Sequence, residues 1–362
     1  RVFARRTVTF GLTRPQSPRG PRLVCWGMTL GSKQPYINTL EARRATDVGM
    51  QAVLDGYHYV DNAPYQTIVE GGVAYHPLNC LSIRAGGYHE QKSAFAKDGS
   101  KEHLVRRPCL HDETDRAKML ERFREHCAAQ VANGGALDYC LGDEMSLSHY
   151  ADYADYCFHT STLTAFRGWL QEQYGTLAVL NAERGTRHSE WGQAMPMTYD
   201  EAKKGGNPAP WGDFRTFMEK GTADFLALVQ ATAEQLDPGS RISLSGTQSP
   251  VAGNGMDWWR MSRAVPLFHS YNTSNMCQAR RSFSPWQCDE PWFAGYWQED
   301  PKQEWNMWWC LFHNSSGVSA WYTPILFFPD FTYTTSGRQI RDHWGELTSG
   351  IWQQVRALNI EQ

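Results

Sequence analysis

Short apolar runs of strand length alternate with longer amphipathic stretches along nearly the whole chain, and this alternation limits the fold more than any other feature. Leu23–Thr29, Tyr57–Val60, Val73–Leu78, Ala136–Leu141, Arg241–Ser245, Val265–His269, Trp292–Trp297 and Val318–Tyr322 read as strands. Helical patterns lie between and after them, at Tyr36–Leu54, Asp112–Val131, Phe158–Tyr174, Phe214–Leu236, Pro301–Phe312 and Arg338–Leu358. The clearest helix starts at Asp112, carries Met119, Leu120, Phe123 and Cys127 on one face, and is closed by Asn133-Gly134-Gly135. About eight β/α repeats result, the pattern of a parallel sheet covered by helices. At 362 residues a (β/α)8 TIM barrel is favoured over an open doubly wound sheet. No GxGxxG follows the first strand and no Walker motif occurs, so the nucleotide-binding versions lose support. Residues 1–21 stand apart, because Val8, Phe10 and Leu12 alternate with threonines before a Pro/Arg/Gly tract. They read as an N-terminal strand and linker, with 22–362 as the barrel.

Composition removes several partners. The 35 basic and 38 acidic side chains give a net charge of −3, whereas a nucleic-acid binder needs a basic surplus to displace counterions. No apolar run approaches the length of a membrane span, and Ile325-Leu326-Phe327-Phe328 stops at Pro329. The nine cysteines are scattered without a CxxC pair and read as mostly reduced, buried thiols. Unpaired thiols slightly favour the cytoplasm without fixing the compartment. The 15 Trp, 16 Tyr and 16 Phe exclude disorder, and fit either a dense core or a flat ligand.

Barrel chemistry sits at the C-terminal ends of strands, so ionisable residues there come first. Leu141-Gly142-Asp143-Glu144 places two carboxylates directly after an apolar strand. Such a pair also caps helices, but Met145, Ser146 and Leu147 intervene before the next one. Gln298-Glu299-Asp300 ends another strand; Asp300 fits the N-cap before Pro301, which leaves Glu299 without a structural task. By this strand count Glu144 ends strand four and Glu299 strand seven, ends that can face each other across a barrel mouth. Two carboxyl groups about 5 Å apart are what a retaining glycosidase needs: one protonates the leaving oxygen, the other attacks the anomeric carbon.

Three stretches then carry a resemblance: Ala165-Phe166-Arg167-Gly168-Trp169-Leu170, Gln173-Tyr174-Gly175-Thr176-Leu177 and Leu180-Asn181, with Gly185-Thr186 following. They resemble the segment after the acid/base strand in glycoside hydrolase family 42, and Arg106-Arg107-Pro108-Cys109 resembles that family's Arg-Arg…Cys stretch. The resemblance spans roughly Cys25 to Trp321. It implies a (β/α)8 β-galactosidase with Glu144 as proton donor, Glu299 as nucleophile, and a homo-oligomer. The chain also departs from the family. Asp143 stands where the family has Asn, adding a negative charge that tends to raise the pKa of Glu144. Of the thiols that bind zinc in many members, only Cys109 and Cys157 match. Asp155 and Thr160 occupy the other two positions, with His159 nearby, so no metal and no organic cofactor is expected. Near the nucleophile Gln298 stands at the matching offset and Glu299 one beyond: either the loop is shorter or Gln has replaced the nucleophile.

The remaining site residues are those at strand ends. Trp321 resembles the family's platform aromatic, and core packing is its other reading. Trp297 lies beside the proposed nucleophile, where a sugar's apolar face would stack. Asn272 fits a sugar-hydroxyl partner or a turn former. Arg107 fits a hydroxyl partner or the anchor of a loop carboxylate. His76 and His269 read as structural, and Trp258-Trp259 and Trp308-Trp309 as helix packing or subunit contact. The expected substrate is an oligosaccharide or glycoside with a terminal β-hexose, most simply a β-galactoside. A β-mannosidase, a β-glucosidase or a non-catalytic carbohydrate-binding barrel are the alternatives, the last favoured if position 298 held the ancestral nucleophile.

Overall fold

A computed structural model describes residues 21–27, 35–55, 73–132, 134–150, 152–247, 254–271, 274–283, 288–294, 300–313, 315–321, 326–351 and 354. The segments read above as an N-terminal strand (8–12) and as the strand 57–60 lie outside them. Every strand pairing among the described residues is parallel. The strands are β1 (Arg22–Trp26), β2 (Ala52–Asp55), β3 (Ala74–Pro77), β4 (Asp138–Asp143), β5 (Arg241–Thr247), β6 (Leu267–Ser270), β7 (Cys288–Asp289), β8 (Trp292–Ala294) and β9 (Gly317–Ala320). They form two curved pieces, ordered β3-β2-β1-β9-β8 and β4-β5-β6-β7. The helices outside them are α1 (Pro35–Asp47), α2 (Tyr88–Asp98), α3 (Glu113–Val131), α4 (Thr160–Tyr174), α5 (Leu177–Arg184), α6 (Tyr199–Gly205), α7 (Ala209–Leu236), α8 (Trp258–Ala264), α9 (Ser274–Phe283), α10 (Asp300–Phe312) and α11 (Thr335–Glu346). The architecture is the (β/α)8 barrel.

The two pieces meet at two seams. Past the end of β3, the Cys80 and Leu81 amides donate to the carbonyls of Cys140 and Leu141 on β4, at 3.2 and 3.0 Å. At the other seam β7 and β8 are one barrel strand interrupted at Glu290-Pro291. Proline has no N–H to give a ladder, so β7 pairs with β6 and β8 with β9. The sequence read Trp292–Trp297 as the whole strand; the strand starts earlier and is broken by that proline.

A second difference concerns the helix read over Tyr36–Leu54. The helix ends at Asp47, Gly49 turns the chain at φ +93°, and Ala52–Asp55 is the second strand. A side chain at Gly49 would lie 2.4 Å from the Trp344 ring, so the turn is also a close packing point. Short apolar runs fit either period, and here burial of Ala52, Val53 and Leu54 in the sheet decides.

The apolar core divides as the sheet does. One body packs β4, β5 and β6 against α3, α4 and α7; another packs β1, β2 and β9 against α1, α10 and α11. Inside the barrel, near the N-terminal ends of the strands, charge joins them. Buried Arg22 on β1 donates from Nε to Glu290 Oε1 at 2.5 Å and from Nη2 to Glu290 Oε2 at 2.8 Å and Asp138 Oδ2 at 2.9 Å. His76 Nε2 lies 3.4 Å from Arg22 Nη1, and His269 Nδ1 lies 3.0 Å from Ser319 Oγ. Burial opposes the Arg22 charge, yet Glu290 and Asp138 outweigh it and raise its pKa. Burial likewise opposes both carboxylates, but Arg241 and Arg22 hold Asp138 down and Arg22 holds Glu290 down. Burial pushes His76 down to about 3 and also lowers His269, so both rings are neutral at neutral pH, the structural role expected of them.

Removing the cation strands two buried carboxylates. Arg22→Leu is expected to lower stability by about 3–5 kcal/mol in urea unfolding, and a loss under about 1 kcal/mol would sink the claim that this group joins the halves. Because both carboxylate pKa values are depressed, their contribution is present above the unfolded values near 4 and is lost as pH falls below them.

Candidate active site

The C-terminal ends of the strands bring one of the two sequence-chosen carboxylate pairs into a defined setting. Asp143 is the last residue of β4 and Glu144 comes next. The β4–β5 register shifts between Cys140 and Asp143, a bulge that re-aims the strand end. The Glu144 amide donates to the Ser245 carbonyl at 2.9 Å, and its backbone takes φ +43°. A left-handed glutamate costs about 1–3 kcal/mol, which the surrounding bonds must offset. Tyr271, just beyond β6, donates its hydroxyl to Glu144 Oε1.

Room for this arrangement comes from Gly246 in β5, at φ +56°. A side chain there would lie 2.8 Å from Asp143 Oδ1, 2.9 Å from Glu144 Cγ and 3.1 Å from Tyr271 Oη. Burial, and then the adjacent Glu144, push the Asp143 carboxyl up to about 6, with Arg84 pulling the other way. The repulsion expected from the Asp-Glu pair is thus expressed at Asp143.

An aromatic wall stands at the ends of β1, β8 and β9. Trp321 lies 5.0 Å from Trp26 and 6.4 Å from Trp292 between ring centroids, and Trp26 lies 5.8 Å from Trp292. All three are half-buried. The Trp292 backbone also bridges to that of Tyr271, connecting the wall to the partner of Glu144.

Arg107 is elsewhere. Its side chain is 60% exposed and pairs at 3.3 Å with Asp115, in the first turn of α3. Its neighbour Arg106 is fully buried and donates to the carbonyls of Leu147 (3.0 Å), Pro108 (2.7 Å) and Ile83, clamping the loop that carries Glu144. Glu299, Gln298, Trp297 and Asn272 lie outside the described residues. Tyr271, Trp26, Trp292 and Arg106 were not chosen from the sequence. Tyr271 follows the strand read at Val265–His269 and was open to the same search, whereas Trp26 and Trp292 fell within the strands read at Leu23–Thr29 and Trp292–Trp297. Arg106 carried no sign that it, rather than Arg107, turns inward.

The donors at the family's zinc position are engaged with one another and with the protein. Cys109 Sγ lies 3.1 Å from Thr162 Oγ1 and hydrogen-bonds with Cys157. The Asp155 carboxylate is taken by the Tyr153 hydroxyl, the Trp211 indole at 3.0 Å and the Tyr199 amide at 2.9 Å. His159 Nδ1 caps α4 by accepting from the Ser161 amide at 3.2 Å. Two thiols, a carboxylate and a hydroxyl do not make the closed set of four N/S ligands that structural zinc requires. These residues do not fit the metal. The eight cysteines whose side chains are described are free and buried. No helix among the described residues is long and apolar enough to cross a membrane.

Comparison with known proteins gives three findings. The Glyco_hydro_42 family model, beta-galactosidase, matches residues 101–321, more than half of the chain. No curated protein sequence matches it. Among solved structures, a catalytic mutant of a GH42 beta-galactosidase from G. stearothermophilus superposes with a TM-score of 0.70 at 12% identity, over 95% of this chain and 59% of that one. The beta-galactosidase from Rahnella sp. R3 gives 0.67 at 12% identity, over 92% and 56%. The catalytic domain of beta-amylase from Paenibacillus polymyxa gives 0.57 at 14% identity, over 89% and 97%. These likenesses show the fold, and this chain spans less than two thirds of the length of the two beta-galactosidase chains.

The Asp143 carboxyl yields a prediction with a definite sign. A carboxyl raised above its unfolded value favours the folded state at low pH, and that advantage is lost as pH rises through about 6. Asp143→Asn should therefore raise Tm more at pH 7 than at pH 4, measured by thermal unfolding. An equal change at both pH values would mean that the Asp143 carboxyl is not raised in the folded protein.

Proposed function

The chain belongs to glycoside hydrolase family 42, the beta-galactosidase family, and on that premise we propose that it is a retaining exo-acting glycosidase for terminal β-galactosides. Family membership supports a glycoside hydrolase of beta-galactosidase type with a carbohydrate substrate; that activity, the residue roles, the stereochemical course and the sugar together make up the proposal. The observation that supports it is Glu144 itself, held at a bulged strand end in a left-handed conformation and hydrogen-bonded by Tyr271. A carboxyl restrained at that position is what protonating a glycosidic oxygen requires.

In this reading Glu144 gives its proton to the leaving oxygen while Glu299 attacks the anomeric carbon. The C–O bond to the leaving group breaks, and an ester to Glu299 forms. Glu144, now a carboxylate, takes a proton from water as that water attacks the same carbon and frees Glu299. Tyr271 donates to the carboxylate and holds its orientation between the two steps. Asp143 contacts the sugar, accepting a hydrogen bond from a hydroxyl. Trp321, together with Trp26 and Trp292, offers aromatic faces to the apolar side of the ring. Arg107, Asn272 and Trp297 are further proposed substrate contacts; Arg107 would first have to leave Asp115. A homo-oligomer is proposed from the family likeness.

Hydrolysis of aryl β-galactosides tests the assignment. Glu144→Gln should lower kcat by about 10²–10⁴-fold, and Glu299→Gln should remove activity to a similar or greater extent. Full activity in Glu299→Gln would refute the nucleophile assignment. Sugar binding without turnover on any aryl glycoside would instead favour a binding barrel.

A further inference from the structure

Beyond Glu144 the loop after β4 runs against the loop after β3, and rings collect where they meet. Tyr88, at the start of α2, stacks on His149 with centroids 5.4 Å apart and planes at 18°. His89 meets His149 edge-on at 4.8 Å, and Tyr150 meets it edge-on at 4.3 Å. The Arg84 guanidinium lies over the Tyr150 ring, 4.5 Å from its centroid. The Ala85 amide donates to the Ser148 carbonyl at 2.9 Å, which ties the two loops together.

Three features set this cluster apart from ordinary packing. Tyr88 is buried in the core, whereas Tyr150 is 40% exposed, so the stack runs from the interior to an open aromatic face. Tyr150 takes φ +50°, a costly backbone for tyrosine and the second left-handed residue within this short loop after Glu144. Arg84 forms no ion pair among the described residues, while its charge reaches Asp143 beside Glu144. Burial first, then His89 and Arg84, lower the pKa of His149, so its ring is neutral at neutral pH.

We propose that His149, Tyr150 and Arg84 form the leaving-group subsite, which takes a ring-shaped aglycone flat against the aromatic faces with Arg84 donating to its oxygen substituents. The inference rests on Glu144 as acid/base. The oxygen it protonates belongs to the aglycone, so the aglycone must lie beside Glu144; His149 and Tyr150 follow it in the same loop, which the Ala85–Ser148 bond ties to the loop after β3. Stacking on His and Tyr suits a flat or cyclic group, and a guanidinium held over a ring still has N–H groups directed outward.

Two substrates separate the ledge from the chemistry. β-Galactosyl fluoride has no aglycone ring, whereas benzyl β-galactoside presents one. The ratio of kcat/KM for the benzyl glycoside to that for the fluoride should fall about tenfold in Tyr150→Ala, the scale of one aromatic contact. Arg84→Met should lower the corresponding ratio several-fold for a β-galactosyl disaccharide, whose aglycone, unlike the benzyl group, carries hydroxyl groups for Arg84 to reach. A β-galactosyl disaccharide in place of the benzyl glycoside distinguishes sugar from aryl aglycones: a parallel fall assigns rings of both kinds, and a fall for the benzyl glycoside alone assigns an aryl group. Unchanged ratios in both variants, with an active wild type, would overturn the ledge and leave the glycosidase reading standing. A wild type inactive on both benzyl glycoside and fluoride would remove the glycosidase reading and the ledge with it.

Discussion

The bidentate ion pair between Arg22 and Glu290, with Asp138 as the second acceptor, is the constraint on which the rest of the barrel depends. Its three members come from β1, from β4 and from the break between β7 and β8, so one guanidinium ties the two curved pieces of the sheet together. Apolar packing would fill the same space, but it does not discriminate between strand registers. A buried cation does, because a slipped strand would leave a charge without its partner in a low-dielectric interior. His76, His269 and Ser319 continue this polar centre on β3, β6 and β9.

With the floor of the barrel set by charge, the mouth tolerates irregularity. The β4 bulge, the positive φ of Glu144, and Gly246 as the only residue type that leaves room for the Glu144 side chain are all departures from regular strand geometry. Each costs free energy locally, and each aims a group at the same place. The two kinds of carboxylate differ for that reason. Asp138 and Glu290, buried against cations, stay ionised with depressed pKa values, whereas Asp143 is driven up to about 6 by burial and then by the neighbouring Glu144.

Much of this was legible in the chain. Parallel strands and covering helices are implied by apolar runs of alternating length, and Asp143-Glu144 stands out as a carboxylate pair directly after an apolar strand. Other features were not local enough to read. Met50 to Asp55 continues the helical pattern before it and becomes a strand only because β1 and β3 lie on either side. Nothing local in the sequence singles out Tyr271, and only the folding of the end of β6 toward Glu144 shows that its hydroxyl reaches that carboxylate. The adjacent arginines 106 and 107 likewise part company: one is buried among three carbonyls, the other is exposed against Asp115.

The sequence by itself determined the class of fold, the family, and the strand end at which Asp143 and Glu144 stand, because these depend on periodicity and on short contiguous motifs. The tertiary structure alone decided the partners: which hydroxyl holds Glu144, which tryptophans join Trp321, and which carboxylates neutralise Arg22. Those pairings join residues as far apart in the chain as Trp26 and Trp321. No local pattern encodes them, since they arise only when a parallel sheet curls round and brings distant strands side by side.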